Sequence, residues 1–296
     1  MAASAAAAPP PGATPGAARP GADAATGAPR GAGGVCYSIR RMGETEGRPR
    51  GGGTGSPDHG WWPYLVPYAA FLVLVEVARR APEAAQGPLL GLRVVLPGVL
   101  LLLFAMRGAY PELRGWRPRA GELLADVVFG LAVTALWMGP YMLGLLPGPE
   151  DPSDGFDPTL LGREHVWLAL GLRFAGFAVV TPFMEELFVR SFLLRLVDAY
   201  TGRGPADFRR APIGRFTGPS FAVTVLWFTF THVSWEWPVA FATGVLYNLW
   251  LYRRRHIASL VLVHAVTNAS LLLTVALASG RLPDGRGGVL DLWYFL

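Results

Sequence analysis

Seven long apolar runs after residue 60 constrain the fold of this chain more than any other feature. A membrane-spanning helix needs about 20 mostly apolar residues, because the hydrocarbon core of a bilayer is about 30 Å thick. The chain is 52% hydrophobic and 16% charged, whereas soluble domains are about 25% charged. We therefore predict an all-α fold, a polytopic transmembrane helix bundle of about seven to eight spans. The predicted spans are 61–78, 88–106, 123–146, 166–194, 217–235, 237–252 and 257–279.

Composition divides the chain into three parts. Residues 1–60 are rich in Ala, Pro and Gly and hold few large apolar side chains, so we expect them to be disordered. The chain could begin at Met42 rather than Met1. Residues 61–279 form the predicted transmembrane domain, and 280–296 form a short tail whose apolar and aromatic end is expected to lie in the membrane interface.

Arginine is distributed unevenly among the loops that join the predicted spans. Three loops are rich in arginine, whereas the loop at 147–165 is acidic. The positive-inside rule places arginine-rich loops in the cytoplasm, which gives an N-in, C-out bundle of seven spans. Arg79 and Arg80 fall on the other side and are exceptions to this pattern. The arginine-rich loops carry Arg107, Arg114, Arg117 and Arg119; Arg203, Arg209, Arg210 and Arg215; and Arg253, Arg254 and Arg255.

Several classes of partner and site are excluded by what the sequence lacks. The arginines do not form one basic stripe, so nucleic acid is not an expected partner. A single cysteine, Cys36, rules out an intrachain disulfide, and no Cys/His cluster has the spacing of structural zinc. A helix-borne zincin site is excluded as well, because the chain has no His-Glu-x-x-His motif.

Two carboxylates and an arginine, Glu185-Glu186-x-x-x-Arg190, lie near the end of the fourth run. Ionisable residues are costly at membrane depth and usually mark function. Glu186 and Arg190 share one helix face and can pair. Glu185 points about 100° away and has Val189 at its i+4 position, so it is free for another partner. The alternative is a buried ion-pair cluster that only fixes helix packing.

Two histidines lie well inside later apolar runs, in Phe228-x-x-x-His232 and His264-x-x-x-Asn268. Asn268 is one helical turn from His264, and we expect it to hold one ring nitrogen of that histidine. Taken singly, His232 could be a core histidine that donates to a backbone carbonyl. The pair on the last run could likewise be a polar clamp between helices.

Together the three motifs predict one buried polar site, reached from the membrane plane or the cytoplasmic face. A buried glutamate can act as general base, and two neutral imidazoles can hold a divalent metal or position a water molecule. One difficulty remains in this prediction. From the cytoplasmic side His264 is about two turns into its span, whereas His232 is about four turns into its own. The two rings meet only if a span boundary shifts or a segment re-enters the bundle.

These motifs, in this order, resemble the CPBP family of intramembrane proteases, which includes type II CAAX prenyl endopeptidases and lysostaphin-resistance-like bacterial proteins. The resemblance covers about 166–279. It implies that Glu185 is the catalytic glutamate and that Glu186 and Arg190 complete its motif. The remaining active-site residues that it implies are His232, His264 and Asn268.

A closer likeness extends over most of 61–279, to the CAAX-protease-related proteins that accompany bacterial exosortase and PEP-CTERM systems. It implies a multi-pass protein of the bacterial inner membrane and does not require a prenylated substrate. The segments that carry it are Tyr110-Pro-Glu-Leu-Arg114, Phe156-Asp-Pro158, Gly214-Arg-Phe216, Tyr247-Asn-Leu249 and His264-Ala-Val-Thr-Asn268.

We therefore predict an endopeptidase that hydrolyses a peptide bond of a membrane-associated protein or peptide, within the lipid bilayer. Its water is activated by glutamate and histidine, either without metal or on a divalent metal, zinc if any, held by His232, His264 and Glu185. A non-catalytic membrane scaffold or immunity factor on the same fold is the alternative. A transporter is disfavoured because the sequence shows no inverted repeat.

Overall fold

The computed structural model describes residues 60–150, 155–282, 288–289 and 291–296. Seven principal helices make up these residues, and the prediction of an all-α bundle is confirmed. The segment predicted to be disordered lies outside the described residues, apart from Gly60. The helices are α1 (Trp62–Arg80), α2 (Glu83–Met106), α3 (Ala120–Met142), α4 (Arg163–Tyr200), α5 (Gly218–Phe230), α6 (Trp237–Arg254) and α7 (Ile257–Ala278).

Five of the seven helices, α1 to α4 and α7, are long and apolar enough to cross a membrane. Together with the apolar composition they make the chain a multi-pass membrane protein. The helix α5 has 13 residues, about 20 Å at 1.5 Å per residue, which is shorter than the hydrocarbon core. It packs against α6, and the two helices form a hairpin that leaves Leu226, Phe230 and Phe241 exposed on its outer face.

The helix α5 ends at Phe230, five residues before the predicted boundary of its span. Two side chains take the place of backbone donors at the end of α5, since Thr231 Oγ1 and His232 Nδ1 both lie within hydrogen-bond distance of the Phe228 carbonyl oxygen. A proline within the first two positions of α6 then favours a new helix start. His232 therefore lies in the turn of a hairpin, and the Phe228 ring contacts both histidines, at 4.6 Å from His232 and 6.4 Å from His264.

The helix α4 spans 38 residues, about 57 Å, and is interrupted by the π-helical segments Ala175–Val180 and Glu186–Leu193. Short π segments inside α-helices are frequent at functional sites. The second segment begins at Glu186, so the Glu-Glu-x-x-x-Arg motif lies across the point where the helix changes its winding.

The loops between helices gather at two ends of the bundle. We call the end with loops 107–119, 203–215 and 253–255 the arginine end. There Asp126 of α3 is fully buried and accepts hydrogen bonds from Trp250, Arg254 and Ser259, which ties α3 to α6 and α7.

The opposite end, which we call the cavity end, holds the α1–α2 turn, residues 143–150 and 155–162, and the turn at 231–236. Tyr141 donates to the Trp235 carbonyl at 2.7 Å across this end. The tail that was predicted to lie in the interface also returns here. Phe295 is 4% exposed and its ring lies 5.7 Å from that of Tyr141.

Candidate functional site

A cavity of about 1570 Å³ runs from the cavity end into the middle of the bundle. Helices α4, α6 and α7 and the 231–236 turn all contribute to its wall. Four of the six predicted site residues line it, namely Glu185, His232, His264 and Asn268. The structure therefore brings together side chains from three separate stretches of the chain.

Glu186 lies behind this wall, at the centre of a buried polar cluster. Its side chain is completely buried, and its Oε1 accepts from His264 Nδ1 at 2.8 Å and from Arg190 Nη1 at 3.3 Å. The pairing of Glu186 with Arg190 is the one that helical spacing predicted. The bond to His264 joins α4 to α7 across 78 residues of sequence. One carboxylate thus fixes both a cation and an imidazole.

The guanidinium of Arg190 is also held by aromatic and amide groups. It lies over the rings of Phe228 and Tyr247, 4.4 Å and 5.5 Å from their centroids. Such cation–π contacts are strongest where the cation is desolvated, and Arg190 is fully buried. Its Nε is 3.4 Å from Asn248 Oδ1, and Asn248 in turn donates to Thr224 at 2.8 Å. Arg190 therefore positions α5 and α6 around the site.

Within the described part of the chain, the side chain of Glu185, unlike that of Glu186, is neither fully buried nor paired with a cation. It is half-buried on the cavity wall. Among the residues that the structure describes, it forms no hydrogen bond. A carboxylate in this position can accept from a water molecule or a substrate inside the cavity. The two adjacent glutamates therefore differ in their surroundings. Glu185 faces the cavity, whereas Glu186 is bonded to His264 and Arg190.

Each histidine on the cavity wall has one ring nitrogen fixed by the protein. His232 Nδ1 is 2.6 Å from the Phe228 carbonyl, and a carbonyl can only accept, so Nδ1 carries the proton. His264 Nδ1 donates to Glu186. Within the described part of the chain neither Nε2 has a hydrogen-bond partner. Both rings are thus oriented by one nitrogen and keep the other for the contents of the cavity.

Asn268 does not bind His264, and the expectation that it would is wrong. Its amide donates to the Phe177 carbonyl of α4 at 2.7 Å. In a regular helix that carbonyl would accept from residue 181, but the Thr181 N–H bonds to Gly176. The next candidate, Pro182, has no N–H. Asn268 therefore supplies the hydrogen bond to the Phe177 carbonyl that Pro182, three residues before Glu185, cannot donate.

This arrangement predicts an energetic coupling between Asn268 and Pro182. We expect Asn268→Leu to destabilise the protein by about 1–3 kcal/mol, since it leaves the part-buried Phe177 carbonyl without its side-chain donor. In a Pro182→Ala background, which restores a backbone N–H, the same substitution should cost less. Unfolding of the four variants in detergent measures the coupling. Equal costs in both backgrounds would contradict the assignment.

The predicted metal ligands do not form a cluster suited to a metal ion. No group of three His, Cys, Asp or Glu side chains with ligand geometry occurs within residues 60–150, 155–282, 288–289 and 291–296. Glu185, His232 and His264 share the cavity but do not converge in the way that a zinc site requires. The described residues, as they lie, do not fit a three-ligand metal site.

Sequence reasoning missed several charged groups that line the same cavity, among them Arg173 and Glu236. Glu236 Oε1 accepts from Trp137 Nε1 at 3.2 Å. The guanidinium of Arg173 lies 5.0 Å and 5.4 Å from the rings of Phe177 and Phe156. A signal was present for Arg173, since it is an ionisable residue inside an apolar run. Glu236 lies just beyond the predicted end of a span and gave no comparable signal.

The cavity reaches the cavity end of the bundle rather than the arginine end, where cytoplasmic access was expected. Its outer wall includes Arg79 in the last turn of α1, Gln86 of α2, residues 147–150 and Gly155. If the arginine loops are cytoplasmic by the positive-inside rule, these residues lie on the opposite side of the membrane. The directions of the helices explain why the outer wall is opposite the arginine loops. Helices α1, α3 and α7 all run from the arginine end to the cavity end, so the segments that follow them lie at the cavity end.

Residues 167–270, which contain all six predicted site residues, match the family model for type II CAAX prenyl endopeptidase Rce1-like proteins. The match confirms the resemblance to the CPBP family. No curated protein and no solved structure matches the chain.

Proposed function

Because residues 167–270 match the family model for Rce1-like type II CAAX prenyl endopeptidases, we propose that this chain is an intramembrane endopeptidase acting on a membrane-associated protein. One observation carries the proposal beyond the family. Glu185, without a hydrogen-bond partner among the described residues, shares a cavity with two imidazoles that each keep one nitrogen free. This set is suited to activating a water molecule.

In the proposed mechanism Glu185 is the general base. A water molecule between Glu185 and Nε2 of His232 donates to both, because the proton of His232 is held on Nδ1 by the Phe228 carbonyl. Glu185 takes one proton as the water oxygen attacks the scissile carbonyl carbon. Glu185 then returns the proton to the leaving amine, which completes hydrolysis.

His264 stabilises the charge that develops on the carbonyl oxygen. Its Nδ1 is bonded to Glu186, an arrangement in which a buried carboxylate orients an imidazole and stabilises its protonated form. The ring takes a second proton on Nε2 from water in the cavity, donates from Nε2 to the oxyanion, and returns that proton to water after the leaving amine has departed. Asn268 and Arg190 are positioning residues in this scheme, since one completes α4 and the other holds α5 and α6.

The sequence also led to a second proposal, in which a zinc ion held by the histidines activates the water. A metal bound by His232 and His264 would lower the pKa of its water, but the described geometry does not supply the third ligand. Metal analysis of purified protein and of His232→Ala tests this point. Stoichiometric zinc that is lost in the variant supports a metalloprotease, and full cleavage by metal-free protein supports the scheme above.

We further propose that the substrate enters from the non-cytoplasmic side of a bacterial inner membrane. The cavity reaches the end opposite the arginine loops, and prenylation is no requirement of this geometry. The likeness to exosortase-associated proteins suggests a substrate that is exported and membrane-anchored.

Cysteine labelling tests this orientation. In a Cys36→Ser background we expect Gly148→Cys, at the cavity end, to react with a membrane-impermeant maleimide in intact cells. Thr201→Cys, at the arginine end, should react only after the membrane is permeabilised. The reverse pattern would place the cavity on the cytoplasmic side and contradict the proposal.

The membrane proteome tests the proposed function itself. A protein that is shortened in cells with the intact gene, and full-length both in cells without the gene and in cells with Glu185→Gln, is a substrate. If the intact gene and Glu185→Gln give the same proteome and the deletion differs from both, the chain acts as a scaffold or immunity factor.

A further inference from the structure

The tail of the chain forms part of the wall of the cavity that holds Glu185 and the histidines. Tyr294, Phe295 and Leu296 all line it. The segment is anchored, because Leu292 is fully buried. Ring contacts between Trp235 and both Tyr294 and Phe295, at 5.6 Å and 6.0 Å, hold it against the α5–α6 turn. A stretch of peptide thus already lies inside the proposed active-site cavity.

Arg173 holds this segment through its main chain. Its Nη2 donates to the main-chain oxygen of Leu296. Its guanidinium lies between Phe156 and Phe177, while its buried Nε has no partner within the described residues. A buried cation with an unused donor is costly unless an acceptor is supplied. Arg173 is therefore suited to binding oxygen atoms of a peptide in this cavity.

A second main-chain contact holds the tail in the manner of a bound peptide. The Phe156 N–H donates to the Trp293 carbonyl at 3.2 Å. Main-chain hydrogen bonds give affinity for peptides in general, and pockets for side chains add specificity. Here the pocket for Phe295 is made by Tyr141 and Trp235. The groove accordingly fits an apolar, aromatic segment with a carbonyl or carboxylate oxygen on Arg173.

We propose that residues 291–296 occupy the peptide-binding groove of the cavity and compete there with the protein substrate. The groove is the site, a peptide rich in aromatic and aliphatic side chains is its ligand, and the tail is an intramolecular occupant that must leave before cleavage. The competitive effect rests on the proposed protease function, whereas the binding of the peptide does not.

A tethered competitor should raise the apparent KM and leave kcat unchanged. Short tethers give effective concentrations on the order of 1 mM. If the free segment binds with a Kd of about 0.1 mM, the tail raises the apparent KM about tenfold. Replacing residues 291–296 by Gly-Ser-Gly-Ser-Gly-Ser should therefore lower KM about tenfold for a substrate found by proteomics. An unchanged KM in this variant would overturn the competition.

Binding is measured without catalysis, so that failure of this inference is distinguished from failure of the proposed function. The protein carries both Glu185→Gln and the Gly-Ser tail, and the probe is a dye-labelled peptide of residues 291–296, as free acid and as amide. We expect saturable binding by fluorescence anisotropy in detergent, and competition by the unlabelled peptide. Tighter binding of the free acid would identify a carboxylate as the group on Arg173, and equal binding a carbonyl.

Arg173 provides the matched control for the groove. Arg173→Gln in the same background should weaken peptide binding at least about fivefold, the loss expected for a charge-assisted hydrogen bond. Arg163→Gln removes an exposed arginine from the same helix and should leave binding unchanged. If neither peptide binds the protein with the Gly-Ser tail, the groove is not a peptide site. If Arg173→Gln and Arg163→Gln bind the peptide with equal affinity, the peptide does not bind in the groove next to Arg173. Either result would leave the protease proposal intact.

Discussion

Replacing Glu185 by glutamine is expected to abolish cleavage, with kcat lowered at least about a hundredfold, the usual contribution of a general base. Glutamine keeps the shape of the side chain and cannot take a proton from water. Because Glu185 has no hydrogen-bond partner in the described part of the chain, the yield and the unfolding temperature of the variant should equal those of the wild type. Single-turnover cleavage in detergent measures the chemical step.

The matched control removes the charge of a different glutamate, Glu236, that lines the same cavity. Glu236→Gln keeps an oxygen that accepts from Trp137, and we expect cleavage by this variant to stay within a few-fold of wild type. If Glu185→Gln cleaves normally while Glu186→Gln folds well and is inactive, the roles of the two glutamates are reversed. If both variants cleave normally, the chain is not a protease of this kind.

Replacing Glu186 by glutamine is expected to cost stability, by about 3–5 kcal/mol, because it leaves the charge of a buried arginine uncompensated. Glu186 and Arg190 are both fully buried, and the same carboxylate oxygen holds His264. Low yield and easier unfolding in detergent should therefore accompany any loss of activity. A second change, Arg190→Gln, removes the unpaired charge and should restore part of the stability but not the activity.

An exposed ion pair of the same spacing is the control for this effect. Arg80 and Glu76 of α1 also pair at i,i+4, with side chains 79% and 46% exposed. Exposed pairs contribute little, because water screens the charges, so Glu76→Gln should cost no more than about 0.5 kcal/mol. If Glu186→Gln is as mild as Glu76→Gln, the Glu186 cluster does not stabilise the bundle.

The sequence by itself determined the helices and the pairings within them. Five of the seven predicted runs form helices that are long and apolar enough to cross a membrane, because the length of apolar chain needed to cross a bilayer is a local property. The Glu186–Arg190 pair follows from helical spacing alone. The six motif residues were also identified in sequence, since ionisable and amide side chains stand out in apolar runs.

Only the tertiary structure decided which partner each buried polar group takes. Asn268 was expected to bind His264, one turn away. It binds Phe177 instead, because Pro182 leaves that carbonyl without a donor and the packing of α7 on α4 brings the amide to it. His264 in turn binds Glu186 rather than a neighbour on its own helix.

The tail shows the same limit of local reasoning. Its aromatic residues suit a membrane interface as well as a groove in the protein, and sequence alone cannot choose between the two. The choice depends on Arg173, 123 residues away, and on the rings of Tyr141 and Trp235. A buried polar group must find a donor or acceptor within about 3 Å. Which group lies that close is a property of the whole packed bundle and not of any one segment.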